Sequence, residues 1–380
     1  MIVFLLLAAA VIVVILITFA RRRRDHHREE RLLIVPDQYS SLDQAIREAS
    51  DGDTVLVRPG VYSENVDFMG KEIRVTSEDP GDREIVRRTV IDGGGRGAAV
   101  FFGREEPRGA TIEGFTITGG SGCLALRWSV LGESARAGGG VFIGNGSNPT
   151  IRRNMISGNE ADMGGGIYVC ASSAALIEET EVEGNSAVLG GGLRVARDFP
   201  RSEGASSRGS ARSGTIVRRC RFTGNGAEIG GGASISRGVS PQLSGNLFSA
   251  NTATWDGGGM AIWDHSSPRV LCSEFRANSV GRDYGFGAGL SVMNDSRPHI
   301  EGNRFEDNEA VGRRRSGGGA MAIYRSDPTL VGNVARGNRA GLGCSLYLWG
   351  DARPEMRGNE IDAGDVFVRP SQLSRVRDHT

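Results

Sequence analysis

Three features of this 380-residue chain predict an all-β solenoid. A glycine triplet returns at a nearly fixed interval, apolar side chains alternate after each triplet, and asparagine and phenylalanine recur at constant places between triplets. The triplets begin at Gly138, Gly164, Gly190, Gly230 and Gly257, with looser versions at Gly287, Gly318 and Gly343. Their spacings are 26, 26, 40, 27, 30, 31 and 25 residues. A period in this range marks stacked units, each unable to bury its apolar face alone.

Ahead of the repeats, Ile2 to Phe19 contains no charged residue and is long enough to cross a bilayer. The span lacks the basic start and short apolar core of a signal peptide, so residues 1–20 read as a membrane anchor. Thr18-Phe19-Ala20 offers a cleavage site as the alternative. An Arg-rich linker, residues 21–33, opens with Arg21-Arg22-Arg23-Arg24. Arginines after the span and none before it place the following chain on the cytoplasmic side. The stretch Ser41 to Ala49 predicts an amphipathic helix, with Ser41 as N-cap and Leu42, Ala45, Ile46 and Ala49 on one face. Glu72–Thr76, Thr89–Ile91, Ala98–Phe102 and Thr111–Thr118 supply early, less regular strands.

Within each repeat, counted from its first glycine, places three and five are apolar. Examples are Val141 and Ile143, Ile167 and Val169, Met260 and Ile262, and Leu346 and Leu348. Alternation of this kind marks a strand with one buried face. A proline often follows, as at Pro149, Pro241, Pro268, Pro298, Pro328 and Pro354, and suits a corner or strand start. A second strand starts there, and a third carries Ile156, Val182, Phe222, Phe248, Phe275, Phe305 and Ile361 at one place. Strands about 4.8 Å apart would stack those four phenylalanines inside the coil. At one turn stand Asn159, Asn185, Asn225, Asn251, Asn278, Asn308 and Asn338. Asparagine tolerates left-handed backbone, and its amide both donates and accepts, so these side chains predict a structural ladder. Each coil thus reads as three strands and three turns.

With these features the chain resembles the right-handed parallel β-helix proteins of the pectate-lyase-like superfamily. The resemblance covers residues 34–368, about 12 coils, with a short tail at 369–380. It also rests on Gly52-Asp53-Thr54-Val55 and Pro59-Gly60-Val61-Tyr62 after the amphipathic segment. In the family such a helix plugs the open end of the first coil, where unpaired edges would otherwise be exposed. The resemblance implies an extracytoplasmic location, opposite to the arginine rule, and the two remain open. The superfamily spans lyases, hydrolases, epimerases and adhesins, so the fold names no reaction.

Composition narrows the choices. Forty-five basic residues balance 45 acidic ones, which excludes strong attraction to nucleic acid. Cys123, Cys170, Cys220, Cys272 and Cys344 fall at different places in their coils, predicting free thiols. His265 and His299 have no metal-ligand spacing. Gly93 to Gly97 lacks the sequel of a phosphate loop and reads as a turn. The long step contains an Arg-, Ser- and Gly-rich insertion between Arg197 and Gly214, which reads as a solvated loop.

Outward-facing places carry the functional signal. Place six holds Trp263, Met293, Tyr324 and Trp349 on consecutive coils. Beside them stand Asp264, His265, Asn294, Asp295, Arg325 and Asp351, with Arg237 upstream. Aromatic faces pack on sugar rings while charged and amide groups bond the hydroxyls, so this face predicts a polysaccharide- or glycan-binding surface. The competing reading is that the rings stack on one another under the segment around Asp365 to Val368. Relatives that cleave acidic polysaccharides hold Ca²⁺ on a carboxylate cluster and use an arginine or lysine base. The resemblance therefore offers Asp264, Asp295 and Asp351 as cation ligands, with Arg325 or Arg237 as base; otherwise no cofactor is expected. Hydrolysis would need two of these carboxyls about 5–9 Å apart. The Asn-Thr-Asp, Asp-Asp and Gly-His-Gly motifs of polygalacturonate hydrolases are absent, Asn251-Thr252 being followed by Ala253. A lyase or hydrolase using Asp264, Asp295 and Arg325 is the first alternative. The second is a structural or adhesive solenoid with a protein partner.

Overall fold

The computed structural model describes residues 29–128, 133–197, 214–281, 283–312, 315–361 and 365–368. The apolar segment 2–19, the arginine run, most of the Arg197–Gly214 insertion and the tail 369–380 lie outside the described residues. Among the described residues no helix is long and apolar enough to cross a membrane.

The chain winds as a parallel β-helix with four strands per coil. One coil runs through Val141–Ile143, Thr150–Arg152, Met155–Ser157 and Glu160–Met163. We name the sheets these strands enter the glycine, proline, phenylalanine and asparagine sheets; they hold 11, 12, 10 and 11 strands among the described residues. The expected three-strand coil is corrected here. The residues between each ladder asparagine and the next glycine triplet form the fourth strand, and their alanines (Ala161, Ala187, Ala227) lack the bulk that marks a strand. The asparagine sheet opens on an antiparallel pair, Cys123–Trp128 with Glu133–Ala137, and is parallel thereafter.

Inside the coil, places three and five are fully buried, as expected from the alternation. Phe222, Phe248, Phe275 and Phe305 stack with centroids 4.8, 4.9 and 4.8 Å apart, which is the strand spacing. Helix α1, Leu42–Glu48, closes the N-terminal end with Leu42, Ala45 and Ile46 buried. Ser41 Oγ accepts from the Gln44 N–H at 3.1 Å, as predicted for the N-cap. Glu64 accepts from the Leu42 and Asp43 amides, and Lys71, the single lysine, donates to the carbonyls of Ile46, Arg47 and Ala49. Opposite charges therefore meet the two ends of the helix dipole. A second short helix, α2 (Arg83–Arg88), lies outside the phenylalanine sheet.

The ladder holds at every step. Asn251 Nδ2 donates to Asn278 Oδ1 at 3.0 Å and to the Phe222 carbonyl at 2.9 Å. The left-handed residue is the one before each asparagine: Gly158, Gly184, Gly224, Ala250, Ala277, Asp307 or Gly337. The asparagine itself needs no unusual backbone, because its amide alone serves the column. A second ladder, unforeseen, runs through Ser273, Asn303, Asn333 and Asn359 between the proline and phenylalanine sheets. None of the five cysteines is in a disulfide; Cys170 and Cys220 are buried, whereas Cys272 is exposed. Burial pushes the Cys220 thiol up to about 12, so it is inert.

The first glycine of each triplet sets the geometry that matters for function. Gly164 has φ +65°, and a Cβ there would lie 2.4 Å from the Ile167 carbonyl oxygen. At this corner the asparagine sheet folds back against the outer face of the glycine sheet. The two sheets thus enclose a second apolar layer outside the coil interior.

Candidate functional site

Two facing columns build this outer layer. Along the glycine sheet the register aligns Phe101, Phe142, Tyr168, Arg194, Ser234, Ala261, Ser291, Ala322, Tyr347 and Phe367. Along the asparagine sheet it aligns Met163, Leu189, Ile229, Asp256, Phe286 and Gly317. Both ends are aromatic. Phe101, Phe142 and Tyr168 stack at 5.2 and 5.6 Å, and Tyr347 meets Phe286 and Phe367 at 5.7 and 5.5 Å. Between them the glycine-sheet column carries the small, buried side chains of Ser234, Ala261, Ser291 and Ala322; we call this strip between the two sheets the trough, and side chains of place six lie along it, Trp263 over Arg194.

Trp263 is the first of these. Its Nε1 donates to Ser234 Oγ at 3.2 Å, and its ring covers the Arg194 guanidinium, 5.6 Å from the ring centroid. Arg194 is 1% exposed and donates to Ser234 Oγ and Ser236 Oγ at 2.8 and 2.9 Å, while its Nε has no partner. Burial lowers it to about 10, leaving it a cation at neutral pH. Arg237, half-buried on the next turn, is lowered in the same direction by burial.

Tyr324 and Trp349 form the other group, 5.0 Å apart, with Trp349 also against Phe286 and Tyr347 at 5.0 and 4.8 Å. The predicted aromatic row is therefore two clusters separated by Met293, all four side chains being half-buried. Val366–Val368 does not cover them: it pairs in parallel with Leu346–Leu348 as the next strand of the glycine sheet. The neighbouring turn places Asp264, His265, Asn294, Asp295, Arg325 and Asp351 in left-handed backbone along one rim. His265 Nε2 lies 3.9 Å from Asp264 Oδ1, and the Arg325 guanidinium stands 6.0 Å from the Tyr324 ring. Among the described residues no three His, Cys, Asp or Glu side chains gather to hold a metal ion, and Asp264, Asp295 and Asp351, the set offered under the lyase alternative, are not drawn together. The turn splays successive side chains apart.

Asp256 was not foreseen. In Thr252–Asp256 a one-residue bulge sets Ala253 opposite Ala227 but Asp256 opposite Ile229. Without the extra residue Trp255 would take the trough position; with it Trp255 turns outward, 43% exposed, and Asp256 faces in. Ser291 Oγ lies 3.5 Å from Asp256 Oδ1. Burial raises this carboxyl to about 7, only slightly offset by the serine. A visible trace was present in sequence: from Phe101 to Phe367 Arg194 is the one charge of its column, from Met163 to Gly317 Asp256 is the one charge of its own, and the bulge adds one residue to the Gly230–Gly257 step.

The raised value has a consequence for stability. The folded form holds its proton more tightly than the unfolded chain, whose carboxyl titrates near 3.8. The favourable contribution is complete below about pH 4 and is lost as pH rises to about 7. The upper limit is about 4 kcal/mol, and solvent contact at the half-buried carboxyl reduces it to about 2 kcal/mol. Asp256→Asn is therefore expected to be more stable than the parent in urea at pH 8, with the difference closing at pH 4. Equal midpoints at pH 8 would show that the carboxyl ionises without cost.

Other depressions are less promising. One of about 350 Å³ beside α2 is lined by Arg83, Glu181, Glu183, Arg221 and Thr223, two basic and two acidic side chains with Arg83 paired to Glu181 at 2.6 Å and no aromatic ring among them.

The model of the family described as right-handed beta helix region matches residues 79–275 and 210–368, together most of the chain. The chain belongs to this right-handed β-helix family. The trough is thus a feature of a right-handed β-helix in which a fourth strand folds back over the glycine sheet. Among solved structures, pectate lyase Pel9A is similar at 12% identity, covering 90% of this chain and 79% of that one, with a TM-score of 0.38. A pectin methylesterase in complex with a hexasaccharide is similar at 9% identity, covering 92% and 95%, with a TM-score of 0.33. Neither likeness bears on what this β-helix binds. No curated protein matches the sequence.

Proposed function

We propose that this β-helix binds a polysaccharide or other glycan surface along the trough rim formed by Trp263, Met293, Tyr324 and Trp349. The observation that carries the reading is that these four side chains, on consecutive coils, keep partial exposure although the glycine-sheet column beside them, Ser234, Ala261, Ser291 and Ala322, is buried. Half-exposed rings offer flat apolar faces to sugar rings. Asp264, His265, Asn294, Asp295, Arg325 and Asp351 then supply donors and acceptors for hydroxyls along the same rim. In this reading residues 2–19 tether the binding surface to a membrane.

Affinity electrophoresis and calorimetry with a panel of soluble polysaccharides test the proposal. Each ring replaced by alanine is expected to weaken binding about tenfold. The folded double variant Trp263→Ala, Trp349→Ala should show no measurable retardation. Because Trp349 also packs on Tyr347 and Phe286, its thermal melt must be recorded alongside. Undiminished binding by a cooperatively melting double variant overturns the assignment.

A further inference from the structure

We infer that the trough beside Asp256 takes an uncharged, hydroxyl-rich sugar chain, and that binding there is coupled to protonation of the Asp256 carboxyl. The inference rests on the glycan reading above and narrows it to a class of sugar.

Position comes first. The bulge in Thr252–Asp256 exchanges Trp255 for Asp256 at the one trough place where Met163, Leu189 and Ile229 stand on earlier coils. A carboxyl occupies a place that is otherwise apolar, in register between Ile229 and Phe286. Bulges that re-aim one side chain in this way concentrate at functional sites.

Charge then selects the ligand. Among the described residues Asp256 makes no ion pair, and its one polar neighbour is the Ser291 hydroxyl. The nearby cation, Arg194, lies beneath the Trp263 ring and is held by Ser234 and Ser236, so it presents no guanidinium to a ligand carboxylate. On the rim, the three carboxyls of Asp264, Asp295 and Asp351 outnumber the two guanidiniums, Arg325 and the half-buried Arg237, with His265 beside Asp264. A uronate chain would be laid against carboxyls, whereas a neutral chain meets acceptors for its hydroxyls.

Proton coupling follows from burial. An apolar sugar face that closes over Asp256 removes its remaining water, which favours the neutral acid further and gives it a proton to donate to a ligand oxygen. The strands around Asp256 bring few competing titrations: Glu228 and Tyr284 are exposed, Arg315 lies over the Tyr347 ring, and Met260–Trp263 and Leu290–Met293 carry no charge. Binding should therefore take up a proton near neutrality.

The test is calorimetric titration of the full chain with a neutral gluco-oligosaccharide, an oligogalacturonate and a cationic chitosan oligomer, at pH 5.5 and 8.5, for the parent and Asp256→Asn. The neutral ligand should bind best and lose about tenfold in affinity at pH 8.5, with heat that depends on buffer ionisation. Asp256→Asn should bind it with less than about threefold change between the two pH values. Tighter binding of the uronate or the cationic chain overturns the inference while leaving glycan binding intact. So does a pH dependence that survives in Asp256→Asn. Failure of all three ligands to bind removes the glycan reading itself, and this inference with it.

Discussion

Asn251→Ala is expected to lower stability by about 4 kcal/mol, enough to shift the whole denaturation curve of the solenoid. Asn251 is fully buried. Its Oδ1 accepts from both the backbone N–H and the side-chain amide of Asn225, each at 3.0 Å, and its Nδ2 serves Asn278 and Phe222. Alanine leaves the Asn225 N–H and the Phe222 carbonyl short of a partner where water has no access, at about 1–3 kcal/mol each. Coils contact only their neighbours, so a defect in the middle of the stack breaks coupling on both sides. Asn359→Ala is the control. That residue closes the second ladder, accepts from Asn333 in the same pattern, and is only partly buried, so water can replace it for about 1 kcal/mol. Urea midpoints and amide exchange of Asn225 report the difference directly. If the two variants lose equal stability, the ladder is not the source of the effect.

The same residues show what could be read from sequence alone. The period and the columns were legible because identical chemistry recurs at identical places, and stacking then converts a sequence interval into a spatial neighbour. The second ladder was not, because the equivalent place is held by Thr180, Cys220 and Ser273 on some coils and the column of asparagines is broken. The fourth strand hid behind alanines. Place six announced itself through its tryptophans, whereas the trough floor did not. Place four alternates away from the coil interior and so reads as surface, yet Tyr168, Ser234, Ala261, Ser291 and Ala322 are all buried. That burial depends on a corner angle set by left-handed glycines, which no local pattern of polarity reveals. Arg194 and Asp256 are intelligible only once the two sheets are known to face each other.

Removing both arginines around Glu113 is expected to cost about 3–5 kcal/mol, although each is a surface residue. Glu113 is fully buried on the outer face of the proline sheet, yet it aligns with Thr76 and Arg152 on the coils before and after. Arg74 and Arg152 reach it from opposite sides, while their own side chains stay 47% and 35% exposed. The energetics are asymmetric. Exposed guanidiniums that lose a partner are solvated at little cost, whereas a buried carboxylate that loses both has neither water nor charge to stabilise it. Arg74→Met with Arg152→Met keeps the aliphatic packing and isolates the charge effect. Adding Glu113→Gln to that pair should restore about half of the lost stability, since the neutral amide no longer needs a counter-charge. A destabilised double variant that Glu113→Gln does not rescue would mean that the arginines act through packing over the sheet rather than by neutralising the carboxylate. The alternation continues up the column, with Glu178 against Arg218 and Arg219. Charge pairing on this face thus performs the task that apolar columns perform inside the coil: it fixes which residue lies over which.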